Sequence, residues 1–329
     1  MKEIIELNSG FECYGNIVGV KEYEGPLGKY FDMHDEDDRF GEDTWEKAES
    51  EMQRLALNVT LGKKGLKFED IGAIFAGDLL NQCTGSSYGL LGCNIPYFGI
   101  YGACSTCAEG IMLASVFTSK KVFDRCVAIT SSHNCSAERQ FRTPIEYGGQ
   151  RTPTSQWTVT GSGAFVIGNA EGARVKIVEA MPGRVIDKGV NDPNNMGAAM
   201  APAATDTLDR YFKESGKNPC DFDLILTGDL GYEGSLILCE LMSSQGYKNM
   251  NNHNDCGKLI FDREKQDTHA GGSGCGCAAS VLSAYILPMM ERGELHEVLF
   301  MATGAMMSPD SVKQGQSIPS IAHLLHFSA

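Results

Sequence analysis

The stretch "YGACSTCAEG" runs from Tyr101 to Gly110 and leads into the apolar and small run "IMLASVF", Ile111–Phe117. A turn of small residues here opens a helix that carries almost no charge. A helix that is apolar all round has no face for water, so this one belongs in the interior. The pair Cys104 and Cys107 reads C-x-x-C. That spacing admits a nucleophile, half a metal site, a redox couple or plain core packing.

The rest of the chain narrows these options, because the chain repeats itself. "CSTCAEGIMLA" (Cys104–Ala114) has a counterpart in "GCGCAASVLSA" (Gly274–Ala284). Upstream, "IGAIFAGDL" (Ile71–Leu79) matches "FDLILTGDL" (Phe222–Leu230), with Asp78 and Asp229 at equivalent ends. Downstream, "VAITSS" (Val127–Ser132) matches "LFMATG" (Leu299–Gly304), and "AFVIG" (Ala164–Gly168) can be laid on "AHLLH" (Ala322–His326). Four matches in one order indicate a duplicated β/α unit whose loops differ in length. The halves divide as 1–170 and 171–329, packed intimately as one body. Helical patterns precede each Gly-Asp-Leu run. Ala48, Met52, Leu55 and Ala56 share a face in the first, and Ala204, Leu208, Tyr211 and Phe212 in the second. Alternation of strands and helices within each half predicts parallel strands with right-handed crossovers. The two uncharged helices are then expected between two sheets.

Composition excludes several classes of function. The 329 residues are 42% hydrophobic and 21% charged, which suits an ordinary globular chain. A net charge of −14 argues against nucleic-acid binding and against attraction to an anionic membrane. "MKEIIELNSG" has no apolar core of a signal peptide, and no apolar run reaches membrane-spanning length. A cytoplasmic-type soluble protein is expected, with its twelve cysteines reduced. The acidic stretch Asp32–Glu51 lacks the spacing of a calcium loop. "NHNDC" (Asn252–Cys256) reads as turn chemistry. No metal site and no cofactor are expected.

Duplicated β/α halves, a Gly-Ala-Cys turn opening a buried helix and the glycine-rich "TGSGAFVIG" (Thr160–Gly168) resemble the thiolase-like, condensing-enzyme fold. That is an α/β fold, layered, with two buried central helices. Two longer segments, 131–168 ("SSHNCSAERQFRTPIEYGGQRTPTSQWTVTGSGAFVIG") and 194–212 ("NNMGAAMAPAATDTLDRYF"), are more specifically similar to the stage V sporulation protein AD family. The resemblance implies a homodimer of the forespore or spore, peripheral to the inner membrane, with other stage V sporulation A proteins as partners. It also implies binding of dipicolinic acid (pyridine-2,6-dicarboxylic acid) or of calcium dipicolinate for uptake.

The resemblance places Cys104 at the nucleophile position. A helix start offers free N–H groups and the positive end of the dipole, which favour a thiolate, so Cys104 is expected to be the most alkylation-prone of the cysteines. Cys107 matches Cys277 in the repeat and reads as packing. Condensing enzymes carry a histidine after the second-half strand, where this chain has Gly228 and Asp229. They carry an asparagine where it has Cys275; His269 lies a few residues earlier. An anionic carboxylate cannot donate to a forming enolate as a neutral imidazole does, so the condensing machinery reads as dismantled. For Asp229 itself, a structural role beside Asp78 or a solvated turn is expected. His133, Asn134, Arg139 and Arg142 follow a strand end, where α/β sheets place ligands, and supply cations for a dicarboxylate. Gly161 suits close approach of backbone to a pocket. Binding by a catalytically degenerate protein is the leading expectation. The alternatives are an active acyltransferase using Cys104 on acyl-CoA or carrier thioesters, and a scaffold without a ligand.

Overall fold

The computed structural model describes residues 2–139 and 151–329. Ten strands carry its architecture. The first half supplies β1 (Ile5–Val18), β2 (Ala73–Gly77), β3 (Tyr97–Gly99), β4 (Cys126–Ser132) and β5 (Gly161–Asn169). The second supplies β6 (Lys176–Met181), β7 (Leu224–Thr227), β8 (His253–Asp255), β9 (Glu297–Ala305) and β10 (Ser320–Ser328). Their spatial order is β3-β2-β4-β5-β1 in one half and β8-β7-β9-β10-β6 in the other. The orders are identical, so the repeats legible in the sequence are equivalent strands of a duplicated unit.

Two differences from the sequence reading follow from chain connection. Four strands of each half point one way; only β5 and β10 return, antiparallel to their neighbours β4 and β9. The link from β9 to β10 holds only the five-residue helix Pro309–Lys313, too little to build a crossover across the sheet. The two half-sheets are also joined. The 14-residue strand β1 pairs with β5 over most of its length, and its start pairs with β6, Ile5 opposite Ala180.

Five helices complete the layers: α1 (Trp45–Gly62), α2 (Thr106–Ser119), α3 (Met196–Ser215), α4 (Gly231–Ser244) and α5 (Cys275–Val281). Helix α2 touches strands of both halves and packs on α5, while α1 covers the first half-sheet and α3 the second. Buried apolar side chains fall into three clusters accordingly: a central one around α2 and α5, and one beneath each outer layer. Successive residues of one strand enter different clusters. Phe165 and Ile167 of β5 face the centre, and Ala164 and Val166 face α1. In β9, Phe300 faces the centre and Leu299 and Met301 face α3. With both faces covered, such strands read as unbroken apolar runs.

Ala204, Leu208, Tyr211 and Phe212 are buried together on α3, as the periodicity requires. On α1, Ala48, Met52 and Ala56 are buried, with Leu55 at the margin. Cys107 and Cys277 both lie in the central cluster, and every cysteine is free. Among the described residues no helix is long and apolar enough to cross a membrane, and no cluster of His, Cys, Asp or Glu is arranged to hold a metal ion.

Candidate functional site

Helix α2 begins just past Cys104, and the turn before it is tight. Ala103 sits at φ +52°, a left-handed conformation that costs a β-carbon residue about 1–2 kcal/mol. Cys104 lines a cavity of about 270 Å³ and is itself buried. The wall includes Tyr101, Glu138, Gln156, Thr158, Ser273 and Lys313, drawn from both halves. That volume lies just under the range of about 300–1,000 Å³ usual for small-molecule pockets.

Asp229 arrives behind Cys104 from the end of β7 and is fully buried. Its carboxylate accepts hydrogen bonds from Ser273 Oγ (3.0 Å), the Gly274 backbone N–H (3.0 Å) and Thr303 Oγ1 (2.9 Å). Cys104 lies beside it, with its Sγ 3.8 Å from Ser273 Oγ. Asp229 is therefore no solvated turn residue. Its repeat partner Asp78 is structural, accepting from Leu80 N, Ser86 N and Ser86 Oγ beside the helix Thr84–Gly89. The corresponding carboxylate of the second half instead bonds to Ser273 of the pocket wall. Helix α4 takes its acceptor from elsewhere, because Asp255 receives the Leu230 and Gly231 N–H groups.

This arrangement reverses the expected chemistry of Cys104. Burial first, and the Asp229 charge second, push its thiol well above the ordinary range. At neutral pH the sulfur keeps its proton. Desolvation and a buried anion outweigh the helix terminus, whose effect fades within one turn. Iodoacetamide at pH 7 is thus expected to label the exposed Cys220 well ahead of Cys104. Removing the charge with Asp229→Asn should speed Cys104 labelling at least ~10-fold, one pKa unit being a tenfold change in thiolate. Peptide mapping by mass spectrometry checks both; rapid labelling of native Cys104 would overturn this assignment.

The remaining residues singled out from sequence are placed as follows. His133 lies apart from the cavity lining. Its Nδ1 accepts from Cys135 N (3.2 Å), which leaves Nε2–H to donate to the Asp38 carbonyl (2.8 Å), and its ring packs near Trp45. Burial lowers its pKa, so it is a neutral structural cap, and the expected imidazolium partner is not available there. Asn134 donates to Thr158 O and Glu138 Oε1, bracing the cavity wall from behind. Arg139 pairs with Glu46 at the surface. Arg142 lies outside the described residues. His269 bonds Thr152 O (2.7 Å) and Asp267 (3.0 Å), away from Cys104. Cys275 is buried close to Cys104 and donates to the Ser131 carbonyl (2.9 Å). Gly161 serves packing rather than the pocket, since a β-carbon there would meet Ser280 Oγ of α5 at 2.6 Å. The neighbouring Gly163 does the same against the Ala279 backbone at 2.8 Å.

So Cys104, Asp229 and Cys275 come together, while His133 and Arg139 do not line the cavity. None of the seven histidines lines the cavity. Gln156, Glu138, Ser273 and Lys313 were not singled out from sequence; only Ser273 had a signal, its place in the glycine-rich turn.

The family model for stage V sporulation protein AD matches residues 4–328. The chain belongs to the stage V sporulation protein AD family. Stage V sporulation protein AD of Bacillus subtilis (strain 168) is 44% identical over 309 residues, covering 94% of this chain and 91% of that protein. Among solved structures, 3-oxoacyl-[acyl-carrier-protein] synthase III from Aquifex aeolicus VF5 is similar with a TM-score of 0.56 at 12% identity, over 96% of this chain and 99% of that one. An OleA variant from Xanthomonas campestris is similar with a TM-score of 0.62 at 13% identity, over the whole of both chains. This chain thus has the thiolase-like, condensing-enzyme fold.

Proposed function

We propose that this member of the family is a spore protein that holds pyridine-2,6-dicarboxylate, free or as its calcium chelate, in the Cys104 cavity without acyl turnover. One observation carries the reading: the cysteine of the cavity wall is buried beside a carboxyl group, with no histidine on the wall. Claisen chemistry needs a thiolate to form the acyl-enzyme and a neutral donor for the enolate oxygen. Asp229 opposes both. What remains is a small, walled cavity with a thiol, hydroxyls and a lysine.

Its setting is the sporulation machinery, with other stage V sporulation A proteins at the inner membrane as partners. A homodimer fits the outer edge of β3, where Tyr97, Phe98 and nearby Tyr101 are exposed.

Calorimetry with dipicolinate, with and without calcium, is expected to give micromolar-to-millimolar affinity, about −4 to −8 kcal/mol. The ligand is small and its carboxylates must shed water, which caps the gain. Cys104→Phe should abolish binding by filling the mouth, and Cys104→Ser should retain it. Acetyl- or malonyl-thioester turnover that disappears in Cys104→Ala would sink this reading and establish an acyltransferase. Absence of binding at millimolar ligand by a folded sample would leave the scaffold.

A further inference from the structure

Among the described residues that line the cavity, Lys313 carries the one cationic side chain. It ends the five-residue helix Pro309–Lys313, which lies in the link between β9 and β10 and buries none of its residues. Three of the five, Pro309, Val312 and Lys313, line the cavity. They stand at i, i+3 and i+4, which is one face of a helix, so Lys313 belongs to the face turned towards the cavity. The start of this short helix is held: Pro309 sets its first turn, and Ser308 Oγ accepts from Ser311 N–H (3.1 Å). Lys313 itself is exposed and makes no ion pair among the described residues. Its ammonium rides on a flexible four-carbon stem, so it meets a group in the cavity without any rearrangement of the core.

We propose that Lys313 is a specificity-determining residue of the cavity: its ammonium pairs with a carboxylate at the outer end of the ligand. The proposal rests on the dicarboxylate reading above and names its charge contact. Leu79, Met196, Met307 and Val312 give the wall hydrocarbon surface that suits a flat ring. The other ionisable groups of the wall, Tyr101, Cys104 and Glu138, carry no positive charge in any protonation state. A ligand carboxylate therefore has one cation to pair with, and that cation sits at the exposed rim. This fixes which way the ring enters, with a carboxylate left at the Lys313 end. The net charge of −14 makes the local contact matter more, because no broad positive field draws an anion in.

Two probes of one shape separate charge from fit: pyridine-2,6-dicarboxylate, a dianion, and pyridine-2,6-dicarboxamide, which is neutral. Calorimetry in calcium-free, low-salt buffer compares the full chain with Lys313→Gln and Lys313→Arg. Lys313→Gln is expected to weaken the dicarboxylate about 5- to 10-fold, between the effect of an exposed ion pair and that of a charge-assisted hydrogen bond out of water. The dicarboxamide should stay within about twofold, because it offers no charge to the ammonium. Lys313→Arg keeps the cation and should hold the dicarboxylate within about threefold of the unmodified chain. A Lys313→Gln chain that binds the dicarboxylate as the parent does, or that weakens both probes alike, would overturn the assignment and leave the dicarboxylate reading in place. Where the dicarboxamide binds too weakly to measure, the arginine variant decides: a loss as large as that of Lys313→Gln overturns the assignment. If pyridine-2,6-dicarboxylate does not bind the unmodified chain at millimolar concentration, the dicarboxylate reading falls and the assignment with it.

Discussion

Between pH 6.5 and pH 8 the chain is expected to lose about 3–4 kcal/mol of folding stability. The cause is a set of carboxyl groups buried where an anion is poorly solvated. Burial pushes Glu22 and Glu49 up to about 8, and Asp255 up to about 7. Second contributions come from Asp38 beside Glu22 and Asp78 beside Glu49, each a like charge at close range. In the unfolded chain these groups ionise in the ordinary carboxylate range. The folded state therefore holds more protons than the unfolded state over the window between the two values. Stability then falls as pH rises, by about 1.4 kcal/mol per group per pH unit. Their contribution is fully present below the unfolded value and gone once pH passes the folded one. Below pH 6.5 a second set opposes it. Burial lowers His253 and His323 to about 4, and it lowers His133 too. These stay neutral in the fold and take up protons on unfolding, so their contribution is lost as pH falls from 6.5 towards 4. A plateau near pH 5–6.5 and a decline to pH 8 are expected in urea midpoints. Glu22→Gln and Glu49→Gln should each remove part of the decline. A midpoint that holds steady from pH 6.5 to 8.5 would show that the fold stabilises these groups as anions.

The substitution expected to cost most at the site is Asp229→Ala, at about 3–5 kcal/mol. It removes the common acceptor of Ser273, Gly274 and Thr303 in a place that water does not reach. Each abandoned donor carries its own desolvation cost. The Gly274 N–H matters most for shape, because this residue, at φ +107°, begins α5. Loss of its acceptor loosens the start of a central helix. Asp229→Asn keeps an acceptor oxygen for part of the set and should cost about half as much. Chemical denaturation of the two variants at pH 6 measures both. An Asp229→Ala protein within about 0.5 kcal/mol of the parent would mean that the three donors find other partners.

The fold was legible because its signals are local. Strand-length apolar runs with Gly-Asp-Leu ends, and two uncharged helices after cysteine turns, recur in order in both halves. Each reports on burial over a few residues. Strand direction was less legible: whether a connection crosses over or turns back depends on how much helix it contains, and the link from β9 to β10 contains one short piece. The joining of the half-sheets through β1 follows from the length and bulges of that strand.

At the site, the sequence by itself determined that Cys104 opens a buried helix and that Cys107 and Cys277 are packing residues of a duplicated core. Only the tertiary structure decided the sign of the chemistry. Thiol acidity depends first on solvation and then on charges within a few ångströms, and the nearest charge comes from the other half of the chain. The neutrality of His133 is set by its burial, and the orientation of the Gln156 amide by two carbonyls distant in sequence. None of these contacts leaves a periodic trace along the chain, because each is made by a single pair of atoms brought together by folding.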